Sequence, residues 1–173
     1  MKPLKVLIAL MIFVFLATSA LPAMAKGKDP VIRVETFEIV KDYSAQEYLR
    51  LNPEVANVVA AANACKGYTL GRKGYSAQNI HIWTYSWTIN WCYNGSTVTS
   101  VSKSRTVWVN STWSFRGEIY ESQSGGVGST SYSHYAQGDF CLFDVGVCVF
   151  HSYPWVDQTV RGNGTYTGSA GGN

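Results

Sequence analysis

Charge is the first thing this 173-residue chain lacks: Asp, Glu, Lys and Arg together make up only 14% of it. A coiled coil or an acidic or basic tail is therefore excluded, because each is built from charge. Aromatic residues at 14% exclude a disordered chain, which cannot carry so many large apolar rings. Lys2 and Lys5 belong to the export signal argued below, and without them the formal net charge falls from +3 to +1. No electrostatic case for nucleic acid survives that balance. Also missing are G-x-S-x-G, H-E-x-x-H and any flanking Cys and His arrangement, so no catalytic residue can be assigned. A hydrolase, the least favoured reading, would need His81, His134 or His151 to meet Asp139, Asp144 or Asp157 by folding alone. The histidines do not stand at ligand spacing from one another, and neither a metal nor a cofactor is expected.

No Asp, Glu, Lys or Arg occurs between Lys73 and Lys103. A membrane-spanning helix is nevertheless excluded there, since polar and apolar residues alternate across the interval and a turn interrupts it. The one long apolar run, Val6 to Leu16, follows Lys2 and Lys5 and precedes Ala23-Met24-Ala25, the pattern of a cleavable secretory signal over residues 1–25. Its removal leaves Lys26 to Asn173, one domain's worth of chain with no transmembrane segment, secreted or held at the cell surface. The four cysteines, Cys65, Cys92, Cys141 and Cys148, all lie in the mature part, and an even count in an exported chain reads as two disulfides. Cys141 and Cys148 flank an Asp-Val-Gly centre that can reverse a hairpin, which leaves Cys65 to pair with Cys92.

Residues 26–30 read as a mobile N-terminus, residues 31–161 as a single domain, and the Gly-rich stretch 162–173 as a flexible tail. Val31 to Val40 alternates as a strand with one wet face. Ser44-Ala45-Gln46-Glu47 has the form of a capping box, and Asn52-Pro53-Glu54 offers a second helix start, so a helical element is expected over about 44–66. Val55, Val58, Val59 and Ala62 recur at helical spacing, and Cys65 continues that stripe. From Ile80 the period changes to 2. Ile80 to Tyr93 reads as one long strand, Asn94-Gly95 as a hairpin turn, and six or so further short strands follow.

The long strand is two-faced. Trp83, Tyr85, Trp87, Ile89 and Trp91 share one side with His81, while Thr84, Ser86, Thr88, Asn90 and Cys92 share the other. Pairing of Cys65 with Cys92 puts the helix over the small-residue side. The aromatic side is then either the core of a sandwich or a platform on which sugars stack. Candidate binding residues are Trp83, Trp87 and Trp91 on that side, with Trp113, Tyr135 and Trp155 near strand ends. Trp155, two positions before Asp157, reads as a strand-entry residue packing under the loop, with a surface ring beside a carboxylate as the alternative. Three N-x-S/T sequons, at Asn94, Asn110 and Asn163, matter only in a host that glycosylates exported proteins.

The run Trp87-Thr88-Ile89-Asn90-Trp91-Cys92-Tyr93-Asn94-Gly95-Ser96, with Gly138-Asp139-Phe140 and Pro154-Trp155-Val156-Asp157, resembles small exported all-β proteins of actinobacterial type with no assigned activity. That resemblance spans Ile80 to Gly168, implies an extracellular β fold, and brings over no site residue. The expectation is a mainly β protein, an antiparallel β-sandwich with a small N-terminal helical element. Its expected function is binding of a glycan or another cell-surface polymer through aromatic side chains. Self-association into a surface or filament subunit by strand addition is the alternative.

Overall fold

The structure, a computed structural model, describes Val31 and residues 33–53, 64–143 and 146–173. The signal segment, residues 26–30, the Val55 to Ala62 stripe and Asp144 lie outside the described residues. Two antiparallel sheets face one another. The first has the order β1 (Arg33–Tyr43), β2 (Ala64–Tyr75), β3 (His81–Tyr93) and β4 (Val98–Val109). The second has the order β5 (Trp113–Gly125), β6 (Ser131–Leu142), β8 (Trp155–Arg161) and β9 (Tyr166–Gly171), and short β7 (Phe150–Ser152) pairs with one end of β6. Among the described residues no helix is long and apolar enough to cross a membrane.

Trp83, Tyr85, Trp87, Ile89 and Trp91 all point between the sheets, where Phe140, Ala136, Val156 and Val160 meet them from the second sheet. Trp83 and Trp91 are wholly buried and Trp87 is 7% exposed, so the aromatic side of β3 is core and not a platform. A chain short of long aliphatics fills its interior with rings, each burying about 150–250 Å². Trp113, also expected as a candidate contact residue, is buried too and meets Phe150 edge-on. His81 departs from the expected side. Gly74 pairs with Trp83 and Tyr75 with His81, which leaves Ile82 as the extra residue of a bulge. Past the bulge the alternation is offset, so His81 turns outward to bond Thr84 Oγ1 at 2.8 Å and stack on Trp108.

The opposite side of β3 carries the helix, packed over the Cys65–Cys92 disulfide. Helix α1 (Ala45–Leu51) starts at Ser44, whose side chain accepts from the Glu47 N–H. It sends Tyr48 down onto Cys65 and Cys92, with the Tyr48 hydroxyl 3.1 Å from Ser100 Oγ. Cys65 itself, expected on a helical stripe, lies in β2, so the helical element does not extend through 64–66. Three glycines hid this strand, since Gly inside an apparent strand reads as a break. A Cβ at Gly67 or Gly71 would strike the rings of Tyr43 and Phe37, and one at Gly74 the Trp83 indole. These glycines let rings lie flat on the sheet.

Residues 162–173 are likewise not a loose tail: Tyr166–Gly171 form β9, paired with β8 from Val156↔Ala170 to Val160↔Tyr166. Tyr166 and Ala170 pack on the core, and a Cβ at Gly168 would meet the Tyr68 hydroxyl. Gly138, a residue type that favours turns, does not break β6, which runs unbroken with Gly138 under the rings of Phe115 and Tyr85. The Cys141–Cys148 disulfide is present, although Cys148 lies ahead of β7 and the register partner of Cys141 is His151.

Where β4 and β5 close one side of the sandwich, charge replaces apolar packing. Lys103 pairs with Glu121 and Arg105 with Glu118, and fully buried His134 donates from Nε2 to Glu121 at 3.2 Å. Burial lowers the His134 pKa, with the bond to Glu121 opposing it, while the Lys103 bond leads in lowering that of Glu121. The unfolded chain therefore protonates His134 first, and stability that is complete above about pH 6.5 falls as pH drops below it. Glu121 adds a further loss through the carboxylate range. Urea midpoints measured against pH should be flat above about pH 7 and fall below about 6.5. His134→Gln should remove the upper part of that fall, and an unchanged profile in the variant would refute the assignment.

Candidate functional site

The outer face of the second sheet is where exposed rings and polar groups coincide. Alternation along β6 sends Tyr132, His134 and Ala136 inward and Ser133, Tyr135 and Gln137 outward. On β8, Val156, Gln158 and Val160 are buried, which leaves Trp155, Asp157 and Thr159 on the outside. The register sets Gln137 opposite Trp155, Tyr135 opposite Asp157 and Ser133 opposite Thr159. From β5, Tyr120 is opposite Gln137 and is 57% exposed. Three rings from three neighbouring strands thus form a row: Tyr120 and Tyr135 have centroids 5.6 Å apart, and Tyr135 and Trp155 5.9 Å apart with planes 22° from parallel.

The indole of Trp155 is held in place by what β9 lacks. Gly171 is its register partner, and a Cβ there would lie 2.4 Å from Cζ2 of the indole. The ring therefore lies over bare backbone, half-buried, with the Tyr135 ring stacked beside it. Beside it, Asp157, Thr159, Thr167, Gly168 and Ser169 line an open hollow of about 210 Å³. That is smaller than the roughly 300 Å³ at which enclosing small-molecule pockets begin, so a ligand would lie across the face and not be engulfed by it. Ser133 and Thr159 share a hydroxyl–hydroxyl bond of 2.9 Å, and Arg161 reaches Thr167 Oγ1 at 3.4 Å. Partial burial raises the Tyr135 hydroxyl pKa, and the Asp157 carboxylate adds to the shift, so the phenol stays a neutral donor.

A second exposed aromatic group sits at one end of the first sheet. Trp108, 46% exposed, stacks on His81 at 4.4 Å, and Tyr75 lies next to His81 with Arg33 over its ring. Its polar members are already engaged: His81 with Thr84 and the Trp83 carbonyl, Arg33 with Glu35 and Asn79. Beside the row on the second sheet stands Asp157, with no hydrogen bond or ion pair among the described residues, whereas the charged members of the Trp108 group, Arg33 and Glu35, are paired with one another.

Of the catalytic candidates among the described residues, one pair is brought together by folding. His134 faces inward and Asp139 outward, although they are five residues apart on the same strand. The pair that does form is His151 with Asp139, at 2.7 Å, twelve residues apart and brought together by the β6–β7 pairing. Its imidazole stacks on Tyr153, and among the described residues no hydroxyl or thiol is hydrogen-bonded to its Nε2. The Asp139 carboxylate orients the imidazole. Among the described residues no group of three or more His, Cys, Asp or Glu could hold a metal ion.

No family model, curated protein or solved structure matches this chain. The meaning of the aromatic row rests on its geometry. Of the six residues singled out from sequence, Tyr135 and Trp155 belong to it, while Trp83, Trp87, Trp91 and Trp113 are core. Tyr120, Thr159, Thr167, Ser169 and Gly171 were missed. The period-2 string Trp155-x-Asp157-x-Thr159 was the signal that could have extended the site along β8.

Proposed function

We propose that this protein is an exported, non-catalytic binding module that takes a glycan or a related cell-surface polymer on the outer face of its second sheet. One observation carries the reading: Tyr120, Tyr135 and Trp155 form a continuous ring surface flanked by Asp157, Thr159, Thr167 and Ser169. The C–H faces of a sugar ring are apolar and its rim is all hydroxyls, so it is matched by flat rings bordered with short polar side chains. Two disulfides fit an oxidising compartment, where such polymers are met.

Co-sedimentation with insoluble cell-wall and plant polysaccharides is the test. The wild-type chain should be retained by at least one of them. Tyr135→Ala and Trp155→Ala should each weaken retention about tenfold, the equivalent of the roughly 1.4 kcal/mol that a lost ring contact costs. Their thermal midpoints should stay close to wild type, because both side chains stand outside the core. No retention on any polymer, or equal retention by the variants, would end this reading.

Assembly by strand addition has one observation in its favour. Strand β1 is an 11-residue edge with Ile39 57% exposed and Val40 38% exposed. It already completes its own sheet against β2, and Arg33, Glu35, Glu38, Lys41 and Asp42 along it are the charges with which edges resist pairing. The binding reading is preferred for that reason.

A further inference from the structure

Eight carboxylates stand among the described residues, and seven have a partner. Glu35 pairs with Arg33, Glu47 with Lys41, Asp42 with Lys66, Glu118 with Arg105 and Glu121 with Lys103. Asp139 bonds His151, and Glu38 accepts from the Tyr68 hydroxyl. Asp157 has no hydrogen bond and no ion pair among the described residues, yet it flanks the ring row, opposite Tyr135 in register and two positions from Trp155 on the same face. In a chain with so little charge, this carboxylate stands beside two aromatic rings and in the lining of a hydroxyl-rich hollow with no counter-ion among the described residues.

We infer that the polymer recognised on this face is an amino sugar polymer with free ammonium groups, of the glucosamine type, in preference to its N-acetylated and neutral counterparts. The inference rests on the binding reading above and names its substrate class. A protonated hexosamine satisfies all three features at once. Its ring face covers Trp155 or Tyr135, and its ammonium makes a charge-assisted hydrogen bond to Asp157. The same positive charge is drawn to the negative ring faces beside it. N-Acetylation removes the charge and leaves Asp157 without an ion partner. A polyuronate would set its own carboxylates against Asp157. Arg161, the nearest cation along β8, already donates to Thr167 and lies beyond Thr159 from the rings.

Titration calorimetry of the purified chain should use short oligomers of glucosamine, N-acetylglucosamine and glucose, with polylysine of matching length as a cation without sugar rings. A mildly acidic buffer keeps the amines charged, and each titration is run at low and high salt. The glucosamine oligomer should bind at least about tenfold tighter than the two neutral ones at low salt. High salt should erase most of that margin, because the pair is exposed and screened. Asp157→Asn should bring the glucosamine oligomer down to the affinity the same variant shows for the neutral ones, and its thermal midpoint should match wild type. Equal affinities for charged and neutral oligomers, or an Asp157→Asn chain that keeps the preference, would overturn this inference and leave glycan binding standing. Polylysine binding as tightly as the glucosamine oligomer would also overturn it, by showing charge alone at work. Loss of all sugar binding would remove both readings.

Discussion

Trp91→Ala is expected to cost about 3–5 kcal/mol of folding stability, a large part of the 5–15 kcal/mol typical of a single domain. The side chain is fully buried on the inner face of β3, near the strand's C-terminal end. It meets Tyr166 of the second sheet edge-on at 6.4 Å, and its Nε1–H donates to the Arg161 carbonyl at 3.2 Å. Truncation opens a cavity between the sheets and removes one of the two hydrogen bonds that the Arg161 carbonyl accepts, the Gly164 N–H keeping the other. Trp91→Phe keeps most of the packing and should lose much less. The informative comparison is with Trp155→Ala, which removes an indole of the same size from the outer face and should cost about 1 kcal/mol or less. Urea denaturation of the three variants measures this directly. A Trp91→Ala chain as stable as Trp155→Ala would mean that the sheets are not held together through this ring.

Removing the Cys65–Cys92 disulfide should have the next largest effect. The bond closes a separation of 27 residues, and constraint of the unfolded chain by a loop of that length contributes about 3–4 kcal/mol. The Cys141–Cys148 bond spans only 7 residues and should contribute about 1 kcal/mol less on the same basis. The two also differ in what they hold. Cys65 and Cys92 join neighbouring strands beneath Tyr48, so their loss loosens the seat of α1 as well as the sheet. Cys65→Ala with Cys92→Ala should therefore lower the denaturation midpoint more than Cys141→Ala with Cys148→Ala. The near-ultraviolet signal of Tyr48 and Tyr43, which pack edge to face at 6.4 Å, should weaken only in the first pair. The reverse order of midpoints would refute this account.

Local chemistry made a good part of the molecule legible. The period-2 string from Trp83 to Cys92 assigned each side chain to a face, the Ser44 box started α1, and the spacing of the cysteines gave both disulfides. Glycine misled for one reason throughout. Gly67, Gly71, Gly74, Gly138, Gly168 and Gly171 read as breaks or as tail, but the space each one leaves is filled by an aromatic group or a neighbouring side chain from another part of the chain. That space has no local signature, so β2 and β9 were invisible and β6 was split in two.

By itself, then, the sequence determined which residues share a face, which cysteines meet, and that the fold is antiparallel β, because alternation, capping and turn chemistry act over a few residues. Only the tertiary structure decided which face is core and which is open. Trp87 and Trp155 both lie in alternating strands, and nothing within either strand distinguishes them. Trp87 is buried because the second sheet covers its side of β3. Trp155 lies at the surface because it points away from the first sheet, over a glycine that makes room for it, and burial of that kind is a property of the sheet opposite.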